Sequence, residues 1–331
     1  MRPASFRHLT LAFLLLLMTG CAAAPQSAAL LQQKLPRADL PATALLDSVP
    51  FYPQEDYQCG PAALATVLQV SRVSVTPDAL VSQVYVPARQ GSLQIEMLAA
   101  PRRYGRVTHV LPPDLEGVLR EVQGGRPVLV MQNLGLDWYP QWHYAVVVGY
   151  DLNAGEVILR SGLIRDYRLA LPVFERTWQR AGHWAVLVLP PGEMPLKTSS
   201  QSYFEAVSAF ASAQSSVEGL SASAQTDRLV GIGEAWRVGA QRWPESQLLG
   251  MAYGNHVYGQ GALALAAEVY QQVLAAHPDY AAAHNNLAQV LLEQGRLEEA
   301  EVHARRAVDL GGEFAETYRR TLQNVVVARR R

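Results

Sequence analysis

A repeat with a period of 34 residues is the feature that most restricts how this chain can fold. Four pairs of residues keep this spacing: Pro244 and Pro278, Gly261 and Gly295, Ala266 and Ala300, and Tyr270 and Ala304. A period in this range indicates stacked pairs of helices, in which small residues let two helices approach closely. The spacing predicts full units at 247–280 and 281–312. A last helix over about 313–329 is expected to cap the exposed apolar face.

These positions resemble those of the tetratricopeptide repeat. The resemblance implies an all-α domain over residues 227–331, with a concave surface that holds a protein or peptide partner. The alternative role is a folded spacer or a support for the rest of the chain. The preceding residues 193–226 are rich in serine and alanine and are predicted to be a linker that contains a helix near 203–213.

The first half of the chain contains a cysteine at a predicted helix start. Gly60-Pro61 follows Cys59 directly. Proline suits the first turn of a helix because the N–H groups of that turn have no acceptor within the helix, so the N–H that proline lacks is not needed. The helix dipole should lower the pKa of Cys59, which favours the nucleophilic thiolate. Gln54 could supply an amide donor to an oxyanion that forms nearby. A lone cysteine on a helix is also often only a small buried apolar residue.

A histidine precedes a strongly apolar strand. His143 begins the run His-Tyr-Ala-Val-Val-Val-Gly-Tyr-Asp, so its ring can project from the end of a sheet toward a helix start. In that position it could act as the general base for Cys59. The neighbouring Trp138, Tyr139 and Trp142 are interpreted as core or rim packing residues in preference to a substrate-binding wall.

Together, the Gln54 and Cys59-Gly60-Pro61-Ala62 stretch and the strand that follows His143 resemble papain-like cysteine peptidases of the bacteriocin-processing, double-glycine type. The resemblance implies an α+β papain-like domain over residues 46–192, with helices first and an antiparallel sheet after them. It also implies a Cys59–His143 pair and an oxyanion site formed by Gln54. Double-glycine specificity does not carry over, because the chain has no transporter segment.

The third member of the site departs from the resembled family. Asp151 lies about 26 Å along the strand from His143, at about 3.3 Å per residue, and is predicted to open a turn. The returning strand carries Arg160-Ser161-Gly162 where the family has an Asn-Asp-Pro or similar run. Ser161 or Asp166 could instead accept a hydrogen bond from the imidazole, and the sequence leaves both open.

The N-terminus indicates export. Arginines precede a short apolar run that ends at Gly20-Cys21, which resembles a bacterial lipobox. Residues 1–21 are therefore predicted to be a lipoprotein signal peptide and residues 22–45 a tether. Acylated Cys21 would anchor the protein in the membrane. The expected destination is the outer membrane, with the protein facing the periplasm. Cleavage as an ordinary signal peptide is the alternative.

Composition narrows the possible functions. The net charge is −1 over 331 residues, which argues against an extended nucleic-acid surface. If Cys21 is lipidated, Cys59 is the remaining cysteine and no intrachain disulfide can form. No metal or cofactor is expected. The sequence favours a membrane-anchored cysteine peptidase that acts on a peptide or protein substrate, and it leaves open a non-catalytic scaffold or adaptor and a thiol acyltransferase.

Overall fold

The computed structural model describes residues 24–33, 40–54, 58–215 and 222–331. The predicted signal peptide 1–21 with Cys21, part of the predicted tether, and residues 216–221 of the predicted linker lie outside the described residues. Contacts divide the chain into two compact units, one formed by residues 1–93 and 111–187 and the other by residues 94–110 and 188–331. In the described ranges, no helix is both long enough and apolar enough to span a membrane.

Helices and strands alternate in the first unit, and helices make up most of the second. The helices, in chain order, are α1 (Pro25–Leu31), α2 (Cys59–Val70), α3 (Pro77–Val84), α4 (Gln94–Arg103), α5 (Leu115–Gln123), α6 (Leu171–Gln179), α7 (Ser200–Ser215), α8 (Ala222–Arg242), α9 (Gln247–Gly259), α10 (Leu263–Ala276), α11 (Ala281–Glu293), α12 (Leu297–Leu310) and α13 (Ala315–Arg329). The strands are β1 (Thr43–Leu45), β2 (Tyr85–Val86), β3 (Gly91–Ser92), β4 (Val107–Val110), β5 (Val128–Asn133), β6 (Trp142–Asp151), β7 (Glu156–Ser161), β8 (Ile164–Ala170) and β9 (Ala185–Leu189).

The main sheet of the first unit is antiparallel, which confirms the α+β prediction. Its strands lie in the order β9-β5-β6-β7-β8, and β1 pairs with the far end of β6. The side chains of β5 and of most of β6 are buried, as expected for the centre of a sheet. The edge strand β8 was not predicted, because its exposed, charged residues carry no apolar alternation.

Helix α2 is buried along most of its length. Every residue from Gly60 to Leu68 is buried, so the helix is apolar on all sides and not on a single face. It packs against β5, β6 and β7 of the sheet and against α3. The hydroxyl of Thr66 donates to the carbonyl of Ala62, which satisfies the polar side chain inside this helix. The rigid setting fixes the first residue of the helix, Cys59, in space.

A glycine on β6 lets the segment before α2 lie directly against the sheet. Gly149 pairs with Leu45 of β1, and a Cβ atom at this position would lie 2.7 Å from the carbonyl oxygen of Ala44. The pairing of β6 with β7 also shifts register between Val147 and Gly149. This close backbone approach therefore requires glycine.

The second unit confirms the helical repeat. Helices α9 to α12 form two consecutive hairpins at the predicted units, and α13 follows as the predicted last helix. Small residues let the two helices of a hairpin approach closely. Between α9 and α10, for example, a Cβ at Gly254 would lie 2.5 Å from the ring of Tyr270. The predicted linker contains the folded helix α7, whose Tyr203 and Phe210 belong to one apolar cluster with Trp236 of α8.

Candidate active site

Cys59 is the first residue of α2, as the sequence predicts. It is partly exposed and is not part of a disulfide. Backbone amides of Tyr144, Gly60 and Cys59 itself donate hydrogen bonds to its sulfur. The thiol therefore lies among donors at the positive end of a buried helix, while one side remains open to solvent.

The expected lowering of the Cys59 pKa is wrong in direction. Burial raises the pKa of the Cys59 thiol above that of a free cysteine, because removing the sulfur from water disfavours the charged thiolate. The three backbone hydrogen bonds act in the opposite sense and do not overcome burial. The sequence prediction counted the helix dipole but could not count the apolar surroundings of α2. The resting side chain is therefore a neutral thiol.

His143 is the second residue of β6 and faces a hydroxyl. Its Nε2 lies 2.8 Å from Oγ of Ser161, at the end of β7. When Nε2 donates this bond, Nδ1 carries a lone pair and no proton, which is the form a general base needs. Burial lowers the pKa of His143 below 6.5, so the neutral ring persists into mildly acidic solution.

The sulfur of Cys59 lies beside the backbone of the residue that follows His143. The amide that donates to Cys59 belongs to Tyr144, the residue directly after His143. Among the described residues, no direct hydrogen bond joins Cys59 to His143 in this resting arrangement. Catalytic hydrogen bonds are often loose before substrate binds. Proton transfer from Cys59 to His143 therefore requires a hydrogen bond that this resting arrangement does not contain.

Of the two alternatives for the third residue, the structure places Ser161 beside the imidazole. Asp166 instead forms an ion pair with the guanidinium of Arg160. A neutral hydroxyl orients the ring but stabilises an imidazolium less than a carboxylate would. The candidate site is therefore a Cys–His–Ser arrangement.

A buried arginine ties the segment before α2 to this end of the sheet. Arg160 is 1% exposed and donates to the carbonyls of Val49, at 3.1 Å, and Asp47, at 3.2 Å. The same guanidinium pairs with Asp166, which supplies the compensating charge. The sequence reasoning missed this role. Its signal was a charged residue directly after the apolar run Val157-Ile158-Leu159.

Gln54 lies at the end of the anchored segment. Its backbone N–H donates to the carbonyl of Gly162 at 3.0 Å, and its side-chain Oε1 accepts from the N–H of Gly162 at 3.2 Å. The amide oxygen is thus occupied, which leaves the Nε2 end of the side chain to act as a donor. Gly162 directly follows Ser161, so the backbone holds the predicted oxyanion donor next to the residue that orients His143.

Asp151 opens the turn between β6 and β7. Its Oδ1 accepts from the backbone N–H groups of Asn153 at 3.0 Å and Ala154 at 3.1 Å. His143 and Asp151 lie near opposite ends of the ten-residue strand. The position of Asp151 agrees with the predicted role in a turn and not with a catalytic role.

The aromatic residues before His143 are not packed in a core. Trp138 is 81% exposed and Tyr139 is 66% exposed, so core packing does not hold for these two side chains, and rim packing and a substrate-binding wall stay open. Trp142, also exposed, is the first residue of β6. Within the described ranges, no group of three or more histidine, cysteine or acidic residues could hold a metal ion.

The first unit thus has the arrangement of a papain-like cysteine peptidase: a cysteine at the N-terminus of a central helix and a histidine on the adjacent antiparallel sheet. Residues 46–186 match the Peptidase_C39 like family, and residues 257–313 match the tetratricopeptide repeat family. The chain therefore carries a C39-like peptidase domain followed by tetratricopeptide repeats. No curated protein matches the chain.

Solved structures resemble each part of the chain. A C39-like peptidase from Bacillus anthracis is 19% identical, with 44% of this chain and 97% of that one aligned and a TM-score of 0.38. The peptidase domain of Streptococcus ComA is 21% identical, with 43% and 98% aligned and a TM-score of 0.34. The secretion chaperone SycD of Yersinia enterocolitica is 18% identical, with 40% and 95% aligned and a TM-score of 0.33.

Proposed function

We propose that the protein is a cysteine peptidase in which Cys59 attacks a peptide carbonyl. The observation that carries the proposal is the joint placement of the thiol and the imidazole: the sulfur lies against the amide of Tyr144, and the preceding residue, His143, is oriented by Ser161. A thiol held at a helix start beside an oriented imidazole is the arrangement that nucleophilic catalysis needs.

The pKa shifts of Cys59 and His143 indicate how the nucleophile forms. The Cys59 thiol and the His143 imidazole are both neutral at rest, because burial disfavours the charged form of each. His143 takes the thiol proton as the sulfur attacks and returns it to the leaving amine. The Nε2 of Gln54 and the backbone N–H of Cys59 stabilise the oxyanion. Water then releases the acyl group from the sulfur.

The test is cleavage of a defined peptide mixture by purified protein, followed by mass spectrometry. We expect wild-type protein to cleave, Cys59→Ala to lose cleavage, and Gln54→Ala to lose about 10²- to 10³-fold in kcat because one oxyanion donor is gone. Asp151→Asn is the matched control, because it changes a carboxylate of the same domain that lies near the other end of β6. Cleavage that survives in Cys59→Ala would contradict the proposal.

Two other outcomes of the same experiment identify the alternatives. Transfer of an acyl group from one peptide to the amino group of another, in excess over hydrolysis, would indicate a thiol acyltransferase. The hydroxyl in place of a carboxylate at position 161 is the observation that favours a degenerate, non-catalytic scaffold or adaptor. Absence of any cleavage by wild-type protein would support that scaffold.

We also propose that Cys21 is acylated and anchors the protein in the outer membrane, facing the periplasm, while the repeats bind a protein partner. The lipobox-like Gly20-Cys21 supports the first part, and the tetratricopeptide match over 257–313 supports the second. Cys21→Ala should release the protein from the membrane fraction. Unchanged retention, with no lipid mass on the mature N-terminus, would contradict the anchor.

A further inference from the structure

The second unit contains a cavity of about 560 Å³ that the proposed function does not use. Its walls come from the end of α4 with the loop that leads into β4, from α7, and from the middle of α8. Pro191, which follows β9, also lines it. All of these residues belong to one compact unit, so contacts within that unit define the cavity. Its volume is in the range of small-molecule sites, about 300–1,000 Å³.

Three arginines line the cavity. Arg103 is the last residue of α4, Arg106 lies in the loop that follows, and Arg228 lies on α8. Guanidinium groups suit carboxylates and phosphates, because their planar set of N–H groups matches a pair of anionic oxygens. The three side chains together also create a positive potential that attracts an anion. The charge of the walls therefore indicates an anionic ligand.

The guanidinium of Arg228 is poorly satisfied by the protein. Its Nη2 donates to the carbonyl of Arg103 at 3.5 Å, which is the long limit for a hydrogen bond. This contact helps to cap the end of α4, and capping is the structural role that an arginine in this position can have. Capping does not account for Nη1, which is buried and has no hydrogen-bond partner in the described part of the chain. A buried N–H of a cation in this condition indicates an anion or a water as its acceptor.

Two carboxylates also line the cavity, and neither is placed to neutralise Arg228. Glu234 already pairs with Arg237, at 2.7 Å. Asp227 is exposed and is the chain neighbour of Arg228, and adjacent positions on a helix do not face each other. In the ranges that the structure describes, neither carboxylate forms an ion pair with Arg228.

The rest of the wall is mainly apolar. Tyr104, Pro191, Phe210 and Val230 contribute rings and aliphatic groups. Phe210 is buried and Val230 is 65% exposed, so the apolar lining extends from the interior to the opening of the cavity. Sites for small molecules commonly combine an apolar wall with a few charged or polar groups that fix the orientation of the ligand.

We propose that this cavity binds a small organic anion, with its carboxylate or phosphate group at Arg228 and its apolar body against Tyr104, Phe210 and Val230. The proposal goes beyond the peptidase function and does not depend on it, because the cavity residues are not those of the candidate active site. Carboxylate and phosphate offer the same kind of anionic oxygen, and the experiment below distinguishes them.

The test uses four probes: phenyl phosphate, phenylacetate, benzyl alcohol as the neutral analogue, and inorganic phosphate as the anion without an apolar body. Binding to the purified full-length protein is measured by titration calorimetry at low salt. We expect phenyl phosphate or phenylacetate to bind with a dissociation constant below about 1 mM. Benzyl alcohol and inorganic phosphate should each bind at least about tenfold more weakly, because each lacks one half of the recognised chemistry.

The variants separate charge from shape. Arg228→Gln should weaken binding of the aromatic anion about tenfold or more, because a charge-assisted hydrogen bond is lost. Val230→Trp should also weaken it, because the larger side chain fills the opening while all three arginines remain. Arg319→Gln is the matched control, since Arg319 is an exposed arginine of α13 that pairs with Glu316. The unfolding temperature of each variant checks the fold, and Val230→Trp keeps the test decisive if Arg228→Gln does not fold.

The tighter of the two aromatic anions identifies the anionic group as phosphate or carboxylate. No binding of either anion, affinity that both Arg228→Gln and Val230→Trp retain, or benzyl alcohol that binds as tightly as the anions would overturn the proposal. Inorganic phosphate that binds as tightly as phenyl phosphate would overturn the role of the apolar wall. Each of these results leaves the peptidase function standing, because peptide cleavage is measured separately.

Discussion

Ser161→Ala tests whether a hydroxyl orients the catalytic base. The substitution removes the 2.8 Å contact to Nε2 of His143 and leaves the backbone of β7 in place. A hydrogen bond between neutral groups contributes about 0.5–1.5 kcal/mol, which corresponds to about a 2- to 13-fold lower kcat. His143→Ala should cost more, about 10²- to 10⁴-fold, because it removes the general base itself.

The assay is peptide cleavage across pH, with kcat and KM measured separately. His143 acts as a base while neutral, so activity should fall as pH drops through its pKa, which burial places below 6.5. Ser161→Asp would add a negative charge that stabilises the imidazolium and raises this pKa, and the acid limb should move to higher pH. Ser161→Ala should lower kcat with little change in KM, because the hydroxyl acts through the imidazole.

Asp166→Asn is the control, because Asp166 contacts Arg160 and not His143. It should leave the acid limb where it is. A Ser161→Ala variant with wild-type kcat, or an acid limb that does not respond to Ser161→Asp, would refute the reasoning. A loss as large as that of His143→Ala would show that the hydroxyl does more than orient the ring.

Three further predictions concern other parts of the chain. Alkylation of Cys59 by iodoacetamide should rise with pH through a midpoint above that of a free cysteine thiol, because burial disfavours the thiolate, and a midpoint below that of the free thiol would instead indicate an ion pair with His143. Asp151→Asn should keep peptide cleavage within a few-fold of wild type, since the amide oxygen can still accept the turn hydrogen bonds, and a loss like that of His143→Ala would contradict the turn role. Gly254→Ala should lower the free energy of unfolding by about 1–3 kcal/mol, because the added Cβ would lie 2.5 Å from the ring of Tyr270; an unchanged urea midpoint would contradict this.

The parts that the sequence predicted well have strong local signals. The helix start at Cys59 follows from Gly60-Pro61, the buried strand after His143 follows from its β-branched run, and the helical hairpins follow from the period. Each depends on residues close together in the chain. Pattern and propensity therefore sufficed for the α+β unit and for the helical repeat.

The features that the sequence left open depend on contacts between residues that are not neighbours in the chain. Ser161 and Asp166 are equal candidates by sequence, and only the side chain of Arg160, which engages the carboxylate, separates them. The direction of the Cys59 pKa shift depends on how deeply its helix is buried. The exposure of Trp138 depends on a hairpin shape that Asn133 imposes from the end of β5. None of these is encoded in the spacing of nearby residues.

The burial of α2 also bears on oxidation. Oxidants and disulfides react with a thiolate far faster than with a thiol, so a cysteine held neutral is a poor target for both. Cys59 is not in a disulfide and has no resolving cysteine among the described residues. In an oxidising compartment such as the proposed periplasm, the burial that raises the pKa of Cys59 would thus protect the thiol from oxidation. The cost is that the nucleophile forms only when His143 accepts the proton.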